Sequence, residues 1–250
     1  MDEPWRLKES DKREKDTLIT FIIFCEDKVS EPVYLKYFET SKIKINFAKD
    51  QKSMMKNVLA AITHCKENGL IECKGDNCSI ADENTQVWCV FDRDKEETPT
   101  KISKGNIEFD ESIATANRNG IKVAWSNDSF ELWILLHFEE VDITEENKNR
   151  EKYYERLTEI FNLLEEPNED LQKVKRYDNW SYKNSLKHEN NFRNIVRGEI
   201  ISNVLLAIER AKNLEKHFDG MSLQNHEKSP YTLMHHLIGE LIDKGGKTIE

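Results

Sequence analysis

The 250-residue chain is short of several features that would assign it to a broad class. No apolar run approaches the roughly 20 residues that cross a bilayer, which argues against a membrane protein. The first residues, Met1-Asp2-Glu3-Pro4-Trp5-Arg6, lack the basic and then apolar pattern of a secretory leader, which points to the cytoplasm. The five cysteines include no Cys-x-x-Cys pair. Their odd number, with Cys25 and Cys89 inside apolar runs, reads as buried free thiols in a reducing compartment. His64, Cys65, Cys73 and Cys78 fall close together but without the tight pairs of a zinc centre. Positive charge is also in deficit. A net charge of −10 argues against gripping nucleic acid by bulk electrostatics. No internal repeat is visible.

What is present is a globular composition with a heavily ionised surface: 38% hydrophobic residues is enough for a core at this length without disulfides. The charge is segregated. Residues 139–170 hold twelve acidic against four basic side chains, and residues 171–197 hold seven Lys/Arg against two acids. The basic stretch carries Tyr177, Trp180, Tyr182 and Phe192. Such a stretch can contact phosphates and stack bases, with Lys173, Lys175, Arg176 and Lys187 as the contacts. The alternative is a solvated helix face that pairs with the acidic segment.

Residues 1–16 are charged and aperiodic and are expected to form a flexible arm. Two near-continuous apolar runs follow in the core, Leu18–Cys25 and Val87–Phe91. Such runs read as strands buried on both faces, as in a parallel sheet. A helix is expected from Ser30, as N-cap, to about Glu39. A shorter strand covers Ile43–Phe47, and an amphipathic helix runs from Ser53 to Glu67, ending at Gly69. Lys74–Asn77 reads as a turn. A helix from Phe109 to Asn119 and a strand through Ile121, Val123 and Trp125 come next. Phe130–Phe138 is apolar on nearly every side, as a helix packed all round would be. This βαβ alternation over 17–138 implies an α/β fold with a parallel-type sheet. Residues 139–250 read as a helical elaboration packed on that core, with helices at about 150–164, 190–217 and 230–243.

Both apolar runs end in carboxylates: Glu26 after the first, Asp92-Arg93-Asp94 after the second. Ligands of open α/β sheets collect at the carboxyl ends of the strands. Residues i and i+2 of an extended chain point to one side, so Asp92 and Asp94 can share an ion. Converging carboxylates repel one another unless a cation lies between them, and Mg²⁺ prefers oxygen ligands. Each acid also has an ordinary explanation: Glu26 can begin a solvated loop, Arg93 and Lys95 can neutralise the aspartates, and Glu131 can answer a helix dipole. His137 reads as a satisfied core histidine. Gly245-Gly246-Lys247-Thr248 echoes the end of a phosphate-binding loop, but Leu241 stands where the first glycine belongs, and no nucleotide site is assigned there.

Taken together, three blocks resemble RloB-like proteins. Cys25-Glu26-Asp27-Lys28-Val29-Ser30-Glu31-Pro32-Val33-Tyr34 is similar to that family's Cys-Glu-Gly-x-x-Thr-Glu-Pro-x-Tyr element. Val90–Asp94 is similar to its Asp-x-Asp strand end, and Ser126–Phe138 to its Ser-Asn-Pro-x-Phe-Glu-x-Trp-x-Leu-x-His-Phe block. Tyr182-Lys183 and the run Asn225, Ser229, Thr232, His235 fit in order. The resemblance implies a Toprim-like Rossmannoid sheet and a Mg²⁺- or Mn²⁺-dependent nuclease acting on DNA or RNA. It also implies a role in bacterial defence against phage, beside an ABC-type ATPase partner. By the same resemblance Glu26 is the catalytic acid/base, and Glu26, Asp92, Asp94 and Glu131 are the metal ligands or orienters. Lys183 stabilises phosphate charge, and Glu31, Ser126 and Asn127 support the site. A homo-oligomer is compatible with it. Asp27 in place of glycine and Asp128 in place of proline depart from the pattern. A different class stays open: a non-catalytic subunit that binds and regulates an ATPase.

Overall fold

A computed structural model of the chain describes residues 18–49, 52–94, 98–144 and 149–249. The expected arm at 1–16 and Lys95 lie outside these. The elements of the first half are β1 (Ile19–Cys25), α1 (Ser30–Lys36), β2 (Ile43–Phe47), α2 (Met54–Glu67), β3 (Ile71–Lys74), β4 (Asn77–Ile80), β5 (Thr85–Asp92), α3 (Pro99–Arg118), β6 (Lys122–Asn127) and α4 (Phe130–Leu136). There follow α5 (Arg150–Leu163), α6 (Glu169–Val174), α7 (Glu189–Asn191), α8 (Arg197–Ile200), α9 (Val204–Phe218), β7 (Tyr231–Thr232) and α10 (Met234–Gly245).

The main sheet has the order β2-β1-β5-β6-β7. The first four strands are parallel, and β7 joins the edge antiparallel to β6. The α/β expectation therefore holds. The topology also fixes where a ligand belongs. From β1 the chain crosses to β2 on one side and then returns to β5 on the other, so the connections diverge between β1 and β5. A crevice opens at such a switch point, outside the carboxyl ends of the strands.

Alternation along the strands sorts the core into two layers. Phe21, Ile23 and Cys25 of β1, with Trp88 and Val90 of β5, face one apolar cluster. That cluster includes Val33, Tyr34 and Leu35 of α1, every residue of α4 except Glu131, and Tyr153, Leu157, Phe161, Tyr182, Phe192 and Leu237 from the C-terminal segments. Phe24, Val87, Cys89 and Phe91 face the other cluster, against Val58 and Ile62 of α2 and Phe109 and Ile113 of α3. Every residue of α4 is buried, as its all-round apolar sequence predicts. His137 is a satisfied core group: it lies 2.9 Å from Tyr34 Oη and 2.9 Å from the Trp133 carbonyl.

Several expected boundaries are corrected. Helix α3 starts at Pro99, ten residues before Phe109, because Pro99 suits a first helical position while residues 99–108 bury no apolar face to announce it. The turn at 74–77 belongs to a β3–β4 hairpin. Its register sets Cys73 against Cys78 at a Cα–Cα distance of 4.0 Å, and the two form a disulfide. The free-thiol expectation thus holds for Cys25, Cys65 and Cys89 alone, and the doubtful His64/Cys65/Cys73/Cys78 group forms no cluster among the described residues. Gly120 (φ +68°) lets this hairpin close on the sheet: a Cβ there would fall 2.8 Å from Ser79 Cα.

The single helix expected at 190–217 is instead a broken run. A π-helix at Phe192–Val196, the short α8 and a 3₁₀ turn precede α9. Apolar residues keep spacings of three and four through all of it, so the sequence pattern does not reveal the breaks. A second π-helix, Tyr182–Leu186, was not anticipated either. The helix expected from residue 230 begins at Met234, because Tyr231 and Thr232 pair with Asn127 and Ser126 as β7. Gly246, in the left-handed region at φ +57°, caps α10, so the Gly-Gly-Lys-Thr stretch ends a helix.

Asn57 of α2 is buried beneath the crevice, where its Nδ2 donates to the carbonyls of Phe24 and Val90 at 3.0 Å each. It ties the last turns of β1 and β5 together. Asn57→Ala removes both buried side-chain bonds, leaving the carbonyls to the strand ladder alone, and is expected to cost about 1–3 kcal/mol in urea unfolding. No change in the midpoint at an unchanged slope would remove Asn57 from this role.

Candidate active site

Glu26 continues β1 into the crevice: its N–H donates to the Val90 carbonyl (3.0 Å), so the residue is held by the strand ladder. The turn that follows is set by two carboxylates acting in opposite directions. Glu31 Oε2 accepts the N–H groups of Glu26 (3.0 Å) and Asp27 (3.2 Å). Asp27 accepts those of Val29 (3.0 Å) and Ser30 (2.9 Å). The expected Ser30 N-cap is therefore corrected. Val29 is the capping position, and Asp27 supplies the oxygen that satisfies the first turn of α1. Asp27, which departs from the family's glycine, thereby has a structural task.

From Glu26 the geometry passes along two backbone amides. Glu26 Oε2 accepts the N–H of Asp92 at 3.1 Å, and Asp92 Oδ2 accepts that of Phe130, the first residue of α4, at 3.0 Å. Glu131, next in the chain, is 2% exposed. Glu26, Asp27, Glu31, Asp92, Asp94 and Glu131 line one cleft of about 160 Å³ with Phe130 and two cations, Arg150 and Lys187. Lys187 Nζ lies 2.7 Å from Glu131 Oε1 and donates to Tyr154 Oη at 3.1 Å. The Arg150 guanidinium is paired with Asp94 and reaches to 4.0 Å from Asp92. Its backbone N–H is held by Asp128 Oδ2 at 3.0 Å.

This crowding shifts protons. Burial pushes Glu26 from the ordinary 4.5 up to about 7, against the opposing pull of the Asp92 N–H and Arg150. Burial also raises Asp92, reinforced by Glu131 and Glu26, and it raises Glu31, reinforced by Asp92, Asp27 and Glu26. Burial alone would depress Lys187, but Glu131 and Tyr154 outweigh it and hold the ammonium above its ordinary value.

The donor set suits a hard divalent ion. Glu26 and Asp92 each spend one carboxylate oxygen on a backbone N–H. Among the described residues no hydrogen bond engages Glu26 Oε1 or Asp92 Oδ1, and all donors are oxygens of the kind Mg²⁺ or Mn²⁺ takes. Asp94 is the weaker candidate, because Arg150 already neutralises it.

Of the residues expected at the site, Glu26, Glu31, Asp92, Asp94 and Glu131 meet in the cleft. Lys187, expected among the strand-guiding cations, reaches into the same cleft. Lys183 lies one turn away and pairs with Glu151 at 2.8 Å; both lysines stand 5.2 Å from the centre of the Tyr154 ring. Ser126 and Asn127 brace the sheet edge outside the cleft. Ser126 Oγ is 3.0 Å from Thr232 Oγ1, and Asn127 Nδ2 donates to the carbonyls of His226 and Lys228. The Asn127–Asp128 peptide is cis. Arg93 turns away from the aspartates, towards Asn106 and Asn127.

The basic stretch is corrected in part. Tyr182 and Phe192 are fully buried and cannot stack bases, since they form the apolar face of the π-helical segments. Lys173 pairs with Asp170 (3.4 Å), Lys175 donates to the Asn162 carbonyl (3.1 Å), and Arg176 is exposed. The sequence offers no signal for Arg150 and Tyr154. They lie in the acidic segment; Arg150 reaches the cleft, and Tyr154 its Lys187, because α5 packs on α4.

The folded state holds the Glu26 proton to about pH 7 and the ordinary carboxyl only to 4.5. Stability from this group is therefore fully present below the lower value and is lost as pH rises through the upper one. Glu26→Gln keeps an oxygen for the Asp92 N–H and removes the charge. In chelator, its Tm advantage over wild type is expected to be near zero at about pH 4 and to open up by about pH 8. A pH-independent difference would mean that Glu26 titrates as an ordinary carboxyl.

No curated protein and no solved structure matches the chain. The profile of the RloB-like protein family matches residues 21–241, from within β1 to within α10, and so takes in the cleft. On that coverage of most of its length, the chain belongs to the RloB-like protein family.

Proposed function

We propose that this protein is a Toprim-like, Mg²⁺- or Mn²⁺-dependent nuclease that hydrolyses DNA or RNA phosphodiesters. The observation that carries the proposal is the meeting of Glu26, Asp92, Asp94 and Glu131 at the β1/β5 switch point, with two cations in the same cleft. Glu26 handles the proton: with its pKa near 7 it can accept one from water and return it to the leaving oxygen. Asp92 and Asp94 hold the ion, with Glu131 as a further ligand or orienter. When bound, the ion polarises the phosphoryl oxygen and acidifies water. Lys187 places positive charge beside Glu131, and Arg150 offers a planar guanidinium that suits a phosphate. Lys183, with Lys173, Lys175 and Arg176 farther along the surface, guides the strand. The family resemblance carries the biological part: cytoplasmic defence against phage together with an ABC-type ATPase, with the chain itself able to form a homo-oligomer.

The second possibility, a non-catalytic subunit that regulates such an ATPase, is favoured by one observation. Arg150 and Lys187 already neutralise Asp94 and Glu131. A self-contained ion-pair network needs no metal to persist.

The two part company in one assay. Purified protein is incubated with DNA and with RNA, with Mn²⁺ or in chelator. Cleavage is expected only with the ion, and Glu26→Gln and Asp92→Asn are each expected to lower its rate by about 100-fold or more. Equal cleavage by wild type and a Glu26→Gln/Asp92→Asn double variant would sink the nuclease. If the carboxylate variants still protect cells from phage while retaining an ATPase in pull-down, the regulatory subunit is correct.

A further inference from the structure

A second group of metal-type ligands lies away from the carboxylate cleft and shares none of its residues. Glu215 of α9 faces His235 and His236 in the first turn of α10. His235 Nε2 is 2.8 Å from Glu215 Oε2, and His236 Nε2 is 3.0 Å from both carboxylate oxygens. The two imidazoles lie 4.2 Å apart, centre to centre. Three ligand-type atoms thus gather within 4.8 Å. Tyr231 Oη approaches the same carboxylate at 3.5 Å, as an outer-shell group does when it orients a ligand.

The ordinary explanation is a hydrogen-bonded staple between two helices, and for the neutral His235 ring that burial favours it leaves a deficit. If His235 donates Nε2–H to Glu215, its Nδ1 must be an acceptor. That atom is buried and meets no donor, and the Thr232 backbone group beside the ring favours a proton on the ring instead. If the proton is on Nδ1 instead, the Nε2 lone pair points at a carboxylate oxygen 2.8 Å away. A cation between them turns that repulsion into ligation and leaves Nδ1–H facing the backbone. The spacing needs little adjustment. Donors about 2.0–2.1 Å from a tetrahedral ion stand about 3.3 Å apart. Glu215 and His236 are 29% and 49% exposed and free to move out, while His235, at 1%, is the fixed point.

We propose that Glu215, His235 and His236 bind a borderline divalent transition ion of the Zn²⁺ or Co²⁺ class. Two imidazoles and one carboxylate suit such ions, whereas Mg²⁺ and Ca²⁺ favour oxygen alone. Three protein ligands leave a coordination position open. Glu215 and His236 line a cavity of about 440 Å³ with Trp88, Trp125, Asn225 and Glu240, so that position faces a space able to hold a small ligand. The two sites therefore differ in the metal they select.

The test uses the full chain and Co²⁺ alone, read by its visible absorption and by titration calorimetry. Wild type and Asp92→Asn are expected to develop the same tetrahedral Co²⁺ spectrum at one equivalent. The double variant Glu215→Gln/His236→Asn is expected to lose it and to bind at least about 100-fold more weakly, beyond the loss from an outer-shell change. His236→Asn alone alters only the exposed ligand and is expected to weaken binding in a chain that stays folded by circular dichroism. Absence of the spectrum in wild type, its persistence in both variants, or its loss in Asp92→Asn instead would each overturn the proposal. Because Asp92 belongs to the nuclease cleft, these outcomes are independent of whether the chain cuts nucleic acid.

Discussion

The cleft depends on two hydrogen bonds in series: a Glu26 carboxylate oxygen accepts the Asp92 N–H, and an Asp92 oxygen accepts the Phe130 N–H. Each acid is thereby held by the backbone of the next element, and the ends of β1, β5 and the start of α4 are fixed relative to one another. A carboxylate bonded to a backbone amide cannot swing away to relieve repulsion from its neighbours. The like charges are kept close by geometry; burial raises the pKa values of both Glu26 and Asp92, and for Asp92 the neighbouring Glu131 and Glu26 raise it further. Asn57 reinforces the arrangement from beneath, and Glu31 reinforces it from α1.

What makes the crowding tolerable comes from the second half of the chain. Arg150 at the start of α5 and Lys187 at the end of a π-helix supply the positive charge that the sheet ends lack. Burying charge without a partner is costly, so docking the C-terminal helices on α4 both fills the apolar cluster and completes the electrostatics. The π-helical turn fits that task. Its wider winding buries Tyr182, Ser185 and Leu186 while bringing Lys187 to the cleft.

Legibility varied with the kind of signal. The strand ends bearing Glu26 and Asp92 were readable because apolar runs flanked by acids report burial directly. The first ten residues of α3 were not, because a solvated helix carries no apolar period. The β3–β4 hairpin was missed for a related reason: only the turn between its strands is conspicuous in composition. Tyr182 and Phe192 were misplaced because an aromatic among lysines looks the same whether it faces solvent or core. Arg150 was invisible because nothing in the acidic segment marks one arginine as different from its neighbours.

By itself the sequence determined the α/β class, the two carboxylate-tipped strands, the buried helix α4 and membership of a family, because each rests on local periodicity or on a contiguous motif. Tertiary structure decided the strand order that turns the β1/β5 gap into a crevice, the turn held jointly by Asp27 and Glu31, and the choice of Arg150 and Lys187 as counter-charges. It also decided the meeting of Glu215 with His235 and His236 across two helices. These are contacts between residues distant in the chain, and short-range pattern holds no record of which distant partner packing will bring near.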